Sequence, residues 1–394
     1  MTPRRLAQIL GLGIFLVAYG TNVSTPLLVT YRERLSLGDS ATMAIFTVYV
    51  TGIMLMLPFG GQLSDRFGRK AMSVPFVAVS ALASLVMIPG EDSFVFLLLG
   101  RFLLGVVSGA VLSIGSAWMQ EILGAGQEQS AALISTVLTY GGFGLGPPIS
   151  ALIFELDVAP LVLPYLIHVA ATALVVPLML KLPESGPRSD APIRLKLGIP
   201  NDGRQLFRRR IAPAAVWVFC FPSTAFALFP VIISDAVDGS PVVVAAVSGA
   251  LTAWAALIAR PLLPRIGPER ALEVGLALGT SGFVLGASAF VTGTWWLVLP
   301  AAFLLGSASG LITGGCLALL NQIADDESRG SINATFYLLA YPGMALPIVL
   351  TTIGSITGLS AAIIGVTGLA ALATAIQVLR RGEEIPSSPT LASR

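Results

Sequence analysis

Apolar residues along this chain come in runs of about 20, bounded by charged residues or by breaks rich in proline and glycine. A helix rises 1.5 Å per residue, so such a run spans the roughly 30 Å hydrocarbon layer of a bilayer. The pattern therefore predicts membrane-crossing helices, six in each half of the chain. We number them span one to span twelve, at about 8–30, 42–60, 71–88, 94–119, 129–154, 160–181, 212–234, 242–263, 271–291, 295–320, 331–355 and 358–379.

The composition agrees with a lipid environment. Of the 394 residues, 11% are charged and 55% hydrophobic, and the mean hydropathy is +0.85, which would leave a soluble fold with too little polar surface. The net charge of +2 is too small to indicate nucleic-acid binding. We therefore expect an all-α integral membrane protein that is not an enzyme, with the bilayer rather than nucleic acid as a partner and without cofactor or metal.

The basic residues predict the orientation of the chain. With twelve spans and an inward N-terminus, 20 of the 23 lysines and arginines fall in the termini and inward loops, as the positive-inside rule requires. The exceptions are Arg32 and Arg34, which lie outside, and Arg101, which lies within span four. The first apolar stretch runs on to Tyr31 without a cleavage site, so we interpret it as a retained span rather than a signal peptide. Both termini are expected in the cytoplasm, and the protein in the cell's inner (plasma) membrane.

The two halves of the chain resemble each other. At a separation of 201 residues, the segment 102–109 of span four, with FLLG followed by SG, matches the segment 303–310 of span ten. The same register continues into the next span, where Tyr140 falls on Tyr341. Because the matches occur in the same order in both halves, they predict an internal duplication of a six-span unit.

The even number of spans in each copy predicts how the copies are related. Both copies enter the membrane in the same direction, so the axis relating them runs along the membrane normal. In such transporters the substrate binds between the two bundles and is exposed to each side in turn. We expect a monomer that moves a small molecule, built from an N-terminal six-helix bundle (1–182), a cytoplasmic linker (183–211), a C-terminal six-helix bundle (212–381) and a cytoplasmic tail (382–394).

The loop after span two carries a specific motif. Residues 61–70 read GQLSDRFGRK and resemble the GxLaDRxGRK signature of the major facilitator superfamily, to which Arg66 also belongs. The resemblance implies that Asp65 meets the N-terminus of span eleven across a cytoplasmic seam and holds the outward-facing state, because a helix N-terminus favours an anion. It also implies that Arg69 and Glu121 extend this contact as a charge network. A solvated basic loop is the alternative interpretation.

Two features modify the expected Asp65 contact. Residues 325–327, Asp-Asp-Glu, precede span eleven and would repel Asp65, with Arg329 as the expected compensation. The second copy of the loop, 260–270, keeps arginines but has Pro264 where Asp65 would align. The contact is therefore expected on one side only.

Arg101 lies in span four, below the membrane interface. A buried arginine costs several kcal/mol unless it is paired or hydrated. The surrounding residues resemble the family's span-four pattern, in which an arginine is linked to proton coupling, although Leu104 stands where that pattern has a glutamine. Two interpretations stay open: a role in coupling or substrate binding, and a structural role bonded to the backbone of span one or span five.

Span five contains Gly142, Gly146 and Pro147 in the arrangement GxxxGP. This arrangement resembles the core of the signature that marks exporters working as antiporters in this family. The match is partial, because Ser150 and Ala151 replace the glycine pair that follows. Small residues four apart also permit close helix packing and the proline a kink, so a packing role stays open.

A proton-binding group is not obvious from the sequence. The acidic residues Glu155, Asp157 and Asp235 fall at outer helix ends rather than at mid-depth. His168, in span six, is the sole mid-membrane group that titrates near neutral pH, so it is the candidate for coupling. A packing histidine is the alternative, and proton coupling is an expectation from the resemblance.

The resemblance implies a central cavity lined by the first, second, fourth and fifth helices of each repeat. An aromatic lining with hydroxyl and amide groups and little charge suits a small apolar or weakly polar organic molecule and argues against phosphorylated or dicarboxylate substrates. We therefore expect export of a drug or metabolite, by proton antiport with alternating access. In the alternative interpretation, about half of the candidate lining residues face lipid or other helices instead of the cavity. The candidate lining residues are Tyr19, Asn22, Phe46, Tyr49, Tyr140, Phe226, Trp254, Tyr337 and Tyr341.

Other functions stay open. An importer of sugars or similar solutes is the main alternative, although sugar sites need many hydrogen-bonding partners and the expected cavity has few beyond Asn22. An intramembrane serine protease is a remote alternative, because residues 279–282 resemble the GxSG of rhomboids and His168 could act as the base for Ser281. A third alternative is a sensor or scaffold on the same fold that no longer transports, and such a protein would be expected to carry a soluble domain.

Overall fold

The computed structural model describes residues 1–186, 189, 193–195, 197–325 and 328–380. The predicted tail at 382–394 lies outside the described residues, as do Asp326 and Glu327. Within the described residues all regular structure is helical. The helices are α1 Pro3–Asn22, α2 Leu28–Arg34, α3 Asp39–Phe67, α4 Arg69–Glu91, α5 Phe94–Leu123, α6 Glu128–Glu155, α7 Leu163–Met179, α8 Arg204–Ile232, α9 Pro241–Ile266, α10 Pro268–Thr292, α11 Trp295–Ile323, α12 Arg329–Thr357 and α13 Leu359–Leu379.

The first predicted span is divided, which the apolar pattern did not predict. Helix α1 ends at Asn22 and α2 begins at Leu28, whereas one helix was expected over 8–30. Proline has no N–H to donate and disfavours helical backbone at the residue before it, so Pro26 interrupts the helix at this point. Spans two to twelve correspond to α3 to α13 in order.

Helix α8 begins eight residues earlier than predicted, at Arg204 rather than at residue 212. Its first turns carry three arginines in the π-helical segment Phe207–Ile211, and a second π-helical segment follows at Thr224–Leu228. The charged residues led the pattern to assign this stretch to the linker. The linker between α7 and α8 is correspondingly shorter than the predicted 183–211.

Ten of the described helices are long and apolar enough to cross a membrane. Helix α7 has 17 residues and is a shorter apolar helix. Helix α1 is not among the ten, because the break after Asn22 leaves a 20-residue helix whose first turn carries Arg4 and Arg5.

Helix contacts fall mainly within each half of the chain. In the first half, α1 packs against α5, α6 and α7, while α5 packs against α3 and α4. In the second half, α11 packs against α8, α9 and α10, and α13 packs against α10 and α12. The halves meet where α6 packs against α9 and where α3 packs against the second part of α12.

Glycines at equivalent positions of the two halves perform the same packing task. A Cβ atom on Gly105 would overlap the backbone carbonyl of Tyr49, so α5 lies directly against α3. A Cβ atom on Gly306 would overlap the carbonyl of Thr252 in the same way, where α11 crosses α9. Close backbone contact between membrane helices requires small residues. The duplicated motif thus corresponds to duplicated helix crossings.

Candidate functional site

A cavity of about 850 Å³ lies between the two halves of the chain. Along α3 its wall extends from Tyr49 to Asp65, which is about 24 Å of helix at 1.5 Å per residue. Helices from both halves contribute, namely α1, α3, α5 and α6 from the first and α8, α9, α11 and α12 from the second. The uncharged polar lining residues are Thr21, Asn22, Tyr49, Gln62, Ser113, Ser116, Ser135, Thr136, Thr139, Tyr140, Ser189, Thr252, Ser309, Thr313, Ser331, Asn333, Tyr337 and Tyr341.

The two ends of the cavity differ. At one end its wall includes Asp65 of α3 and Gly330 and Ser331 in the first turn of α12, so the halves are separated there. At the other end α3 packs against the second part of α12. The rings of Phe46 and Phe226 also meet edge to face across the halves there, with centroids 5.4 Å apart. The cavity is thus closed at the end away from Asp65.

Arg32, in α2, joins the two halves at the closed end. Its Nη1 atom donates to the carbonyl of Val231 at 3.4 Å and to the hydroxyl of Ser234 at 3.2 Å, both in the second half. The same nitrogen lies 3.7 Å from the carboxylate of Asp235. Its Nε atom pairs with Asp39 of the first half at 3.3 Å. Arg32 was not among the predicted site residues, because only the fold brings α2 beside α8.

Six of the nine predicted lining residues lie on the cavity wall: Asn22, Tyr49, Tyr140, Phe226, Tyr337 and Tyr341. The Asn22 amide donates to the carbonyl of Phe143 at 3.2 Å and so links α1 to α6. The Tyr341 ring stacks on Phe219 with centroids 4.4 Å apart. The wall therefore combines aromatic rings with hydroxyl groups.

The other three predicted lining residues lie elsewhere. Tyr19 is buried beside His168, with ring centroids 6.0 Å apart, and Phe46 is buried behind the closed end. Trp254 is 38% exposed and lies against Gly144 at the contact of α9 with α6. Residues 249, 252, 253 and 256 form the cavity-facing side of α9. Position 254 is turned away from that side, because successive helical residues are 100° apart.

Arg101 is fully buried and bonded to backbone carbonyls. Its nitrogens donate to the carbonyl oxygens of Thr21 at 2.5 Å, Ile45 at 3.2 Å and Phe46 at 3.3 Å. Its guanidinium carbon lies 4.9 Å from the ring centroid of Tyr49. The expected backbone partners were in span one or span five; the observed ones are in spans one and two. Arg101 therefore ties the end of α1, next to the break, to α3 and to the closed end of the cavity.

The signature loop forms a charge cluster within the first half. Arg69 pairs with Asp65 at 2.6 Å and with Glu121 at 3.0 Å, and it also donates to the hydroxyl of Ser64. The guanidinium of Arg66 lies over the ring of the adjacent Phe67 at 5.7 Å. Asp65 therefore has Arg69 as its partner in this structure, while the first turn of α12 lies across the open cavity.

The residues before α12 were expected to influence that contact. Asp325 accepts a hydrogen bond from the backbone N–H of Ser328 at 2.7 Å and so organises the start of α12. Asp326 and Glu327 lie outside the described residues. The predicted repulsion of Asp65 stays a prediction.

The GxxxGP residues of α6 lie at two helix contacts. Cβ atoms on Gly142 and Gly146 would overlap the α1 backbone, at the carbonyls of Phe15 and Tyr19. Pro147 lies beside Gly249 of α9, in the other half. The motif therefore holds α6 against α1 and, on another side, contributes to the contact between the halves.

His168 is buried inside the first half rather than on the cavity wall. Its Nδ1 atom shares a hydrogen bond with the hydroxyl of Ser84 at 2.8 Å, and its ring packs against Gly20. Ser281, the protease nucleophile of the remote alternative, donates to the carbonyl of Ala277 in its own helix at 3.0 Å. The serine and histidine expected for that chemistry are thus not paired. The described residues contain no group of three or more histidine, cysteine, aspartate or glutamate side chains that could hold a metal ion.

The sequence interpretation also missed Arg260, which lies on the cavity wall at the Asp65 end. Arg260 lies at the end of the predicted eighth span, where that span overlaps the loop at 260–270, and the sequence interpretation counted it with the loop. The spacing Gly249, Ala253, Ala256, Arg260 could have identified it, because residues three, four and seven apart lie on one side of a helix.

A helical membrane protein with a cavity between its halves, closed at one end, belongs to the class of membrane transporters. The sequence profile of the Major Facilitator Superfamily matches residues 10–347, so the chain belongs to this superfamily. The prediction made from the signature loop is confirmed.

Two curated relatives carry names that describe what they do. The chain is 29% identical over 143 residues to the bacillibactin exporter of Bacillus subtilis, covering 34% of this chain and 35% of the relative. It is 25% identical over 149 residues to the quinolone resistance protein NorA of Staphylococcus aureus, covering 38% of each. The alignments thus span little more than a third of these relatives' length.

The solved structures that resemble this fold include transporters of the POT family. A POT family transporter in complex with 5-aminolevulinic acid superimposes with a TM-score of 0.79, covering 95% of this chain and 96% of the other. The two sequences are 11% identical. The similarity between the two proteins is therefore a similarity of fold.

Proposed function

We propose that this chain is a secondary active transporter that exports small apolar or weakly polar organic molecules by proton antiport. The observation that carries the proposal is the cavity of about 850 Å³ between the halves, open beside Asp65 and closed beside Arg32. Alternating access requires a site that reaches one side at a time. A drug-sized ligand fits a cavity of this volume.

The proposal includes the complete membrane arrangement. Twelve spans form two parallel six-helix bundles, with α1 and α2 together as span one and α7 as span six. Both termini and the linker lie in the cytoplasm of a monomer in the plasma membrane. In this arrangement the open end beside Asp65 faces the cytoplasm and the end beside Arg32 faces outward, so the structure corresponds to an inward-facing state.

The gating steps follow from the contacts at the two ends. In the inward-facing state Arg32 holds the outer ends together and Asp65 pairs with Arg69. In the outward-facing state Asp65, within the cluster of Arg69 and Glu121, would approach the first turn of α12, whose unpaired backbone N–H groups favour an anion. Each state thus has its own contact between the halves.

The direction and the substrate class rest on the cavity wall and on the relatives. The wall offers tyrosine and phenylalanine rings with hydroxyl groups, which bind apolar bodies with one or two polar groups. The GxxxGP residues of α6 resemble the core of the exporter signature, and among the relatives one is named an exporter and another a quinolone resistance protein. These observations favour export over import of sugars.

Few side chains are candidates for binding the proton that would be coupled to transport. His168, in contact with Ser84 and Gly20, is the candidate proton-binding residue within the helices. Arg101 bonds to the carbonyl of Thr21, the residue that follows Gly20 in α1. Acids at the outer rim, Asp39, Glu155 and Asp235, are the alternatives, and two of them, Asp39 and Asp235, contact Arg32.

Everted membrane vesicles provide the test. Uptake of a set of organic dyes and drugs into vesicles carrying this protein should exceed that into empty vesicles and should collapse when the proton gradient is removed. Uptake that is equal with and without the gradient would show a facilitator, and absence of uptake for every compound, at verified protein levels, would overturn the proposal.

A further inference from the structure

Among the residues that the structure describes, the cavity wall contains one cation without a carboxylate partner. Asp65 and Arg260 are the charged side chains among the described lining residues, and Asp65 is paired with Arg69 at 2.6 Å. No carboxylate of the described residues lies within the 4.0 Å salt-bridge distance of Arg260. The positive charge of Arg260 therefore has no protein counter-charge within the described part of the chain.

The neighbours of Arg260 orient its guanidinium without neutralising it. Its Nη1 atom donates to the hydroxyl of Thr136 at 3.1 Å, on α6 of the opposite half. Its guanidinium carbon lies 5.9 Å from the ring centroid of Tyr140, one helical turn further along α6. Its Nε atom is buried and has no hydrogen-bond partner in the described part of the chain. Hydrogen-bond donors therefore remain for a ligand, since a guanidinium carries five N–H groups.

Filling the cavity changes the hydration of this cation. While the cavity holds water, water solvates the guanidinium. A neutral organic molecule that displaces this water leaves a charged donor poorly paired in an apolar surrounding, which is unfavourable. A carboxylate in the same place replaces the water with a charge-assisted, bidentate hydrogen bond. The wall thus favours an organic molecule that carries one negative charge.

We propose that Arg260, oriented by Thr136 and Tyr140, binds the carboxylate of a monoanionic organic substrate whose apolar body lies among the aromatic rings of the cavity. The assignment of this ligand as the transported molecule rests on the proposed function; the binding subsite itself does not. One cation suits one carboxylate, which agrees with the expectation against dicarboxylate and phosphorylated substrates.

The test compares two fluorescent probes that differ in one group: dansylglycine, which carries a carboxylate, and dansylglycinamide, which is neutral. Binding to the purified full-length protein in lipid nanodiscs is measured by dansyl emission, without any ion gradient. We expect the wild-type protein to bind dansylglycine at least about tenfold more tightly, which corresponds to about 1.4 kcal/mol. Arg260→Gln should abolish this preference by weakening the binding of dansylglycine, without weakening that of dansylglycinamide.

Two further variants separate charge from structure. Arg265→Gln removes an exposed arginine five residues further along, outside the cavity wall, and should keep the preference. Arg260→Lys keeps the charge but loses the planar fork, and should retain part of the preference.

Several outcomes would overturn the inference. Equal binding of the two probes by the wild type, or binding of neither probe, contradicts a carboxylate subsite in a cavity of this size. An equal loss of both probes in Arg260→Gln would show that the Arg260 contact with Thr136 only joins the halves. Failure of the proposed function is separate: an Arg260-dependent preference in nanodiscs without gradient-driven uptake in vesicles would keep the subsite and reject the exporter.

Discussion

Removal of the Arg32 side chain should open the end of the cavity that this structure holds closed. Arg32 belongs to the first half, and three of its contacts reach the second half: the carbonyl of Val231, the hydroxyl of Ser234 and the carboxylate of Asp235. The pair with Asp39 lies within the first half, so it does not distinguish an open from a closed end. Arg32→Ala therefore removes a connection specific to the closed state.

The magnitude follows from the geometry of these three contacts. The Asp235 side chain is 83% exposed and 3.7 Å away, so solvent screening limits this pair to at most about 0.5 kcal/mol. The hydrogen bonds at 3.2 and 3.4 Å are long, and each contributes about 0.5 kcal/mol. The total of about 1 to 1.5 kcal/mol changes the ratio of closed to open states by roughly five- to tenfold.

Distance measurements between spin labels can detect this shift. Gly38 and Asp238 lie on exposed loops of the two halves near Arg32, and a side chain at Gly38 would meet no atom within 4 Å. Labels at these positions, with the buried Cys220 and Cys316 replaced by alanine, should give one short distance in the parent protein. Arg32→Ala should add a longer distance with a population several times that of the parent.

Arg34→Ala is the matched control. Arg34 bonds to the carbonyl of Glu91 at 2.9 Å and the carboxylate of Asp92 at 3.1 Å, both within the first half, so the distance distribution should not change. If Arg32→Ala and Arg34→Ala both reproduce the parent distribution, Arg32 does not stabilise the closed end and the reasoning from its contacts is wrong.

Three further substitutions test the predicted gating and coupling residues. Asp65→Asn should reduce transport at least about tenfold at equal membrane expression, because an amide interacts less favourably with a helix N-terminus than an anion does; parental rates would contradict the role of Asp65. Arg101→Ala should abolish transport, because alanine leaves the buried carbonyls of Thr21, Ile45 and Phe46 without this donor. Arg101→Lys should retain part of the transport activity. Equal activity of the two variants would show that the charge at this position is dispensable. His168→Gln should export poorly and lose its dependence on the proton gradient, and normal export with intact dependence would move the proton site to Asp39 or Asp235.

Much of the fold could be predicted from the sequence because membrane helices obey local rules. The hydrocarbon thickness sets the length of each apolar run, and backbone groups in lipid must be hydrogen-bonded within a helix. The approximate positions of α3 to α13, apart from the start of α8, therefore followed from hydropathy. The family followed from the ten-residue loop around Asp65. The glycine repeat was visible as well, and Gly105 and Gly306 do bring equivalent helices into contact.

Local rules were less informative at helix breaks and helix faces. The break at Pro26 and the early start of α8 at Arg204 depend on proline and on charged residues that hydropathy averages over. The side of α9 that faces the cavity includes Arg260 and excludes Trp254, which composition alone could not distinguish.

The amino-acid sequence was sufficient to identify a helical membrane protein with a repeated helix motif and the superfamily signature. Which side chains share a site depends on how the helices pack, because residues of the cavity wall and of its closed end are far apart in sequence. Arg32 meets Ser234 across 202 positions, and Arg260 meets Thr136 across 124. Such pairs depend on how the two halves pack against each other, and the spacing of residues along a single helix contains no information about that packing.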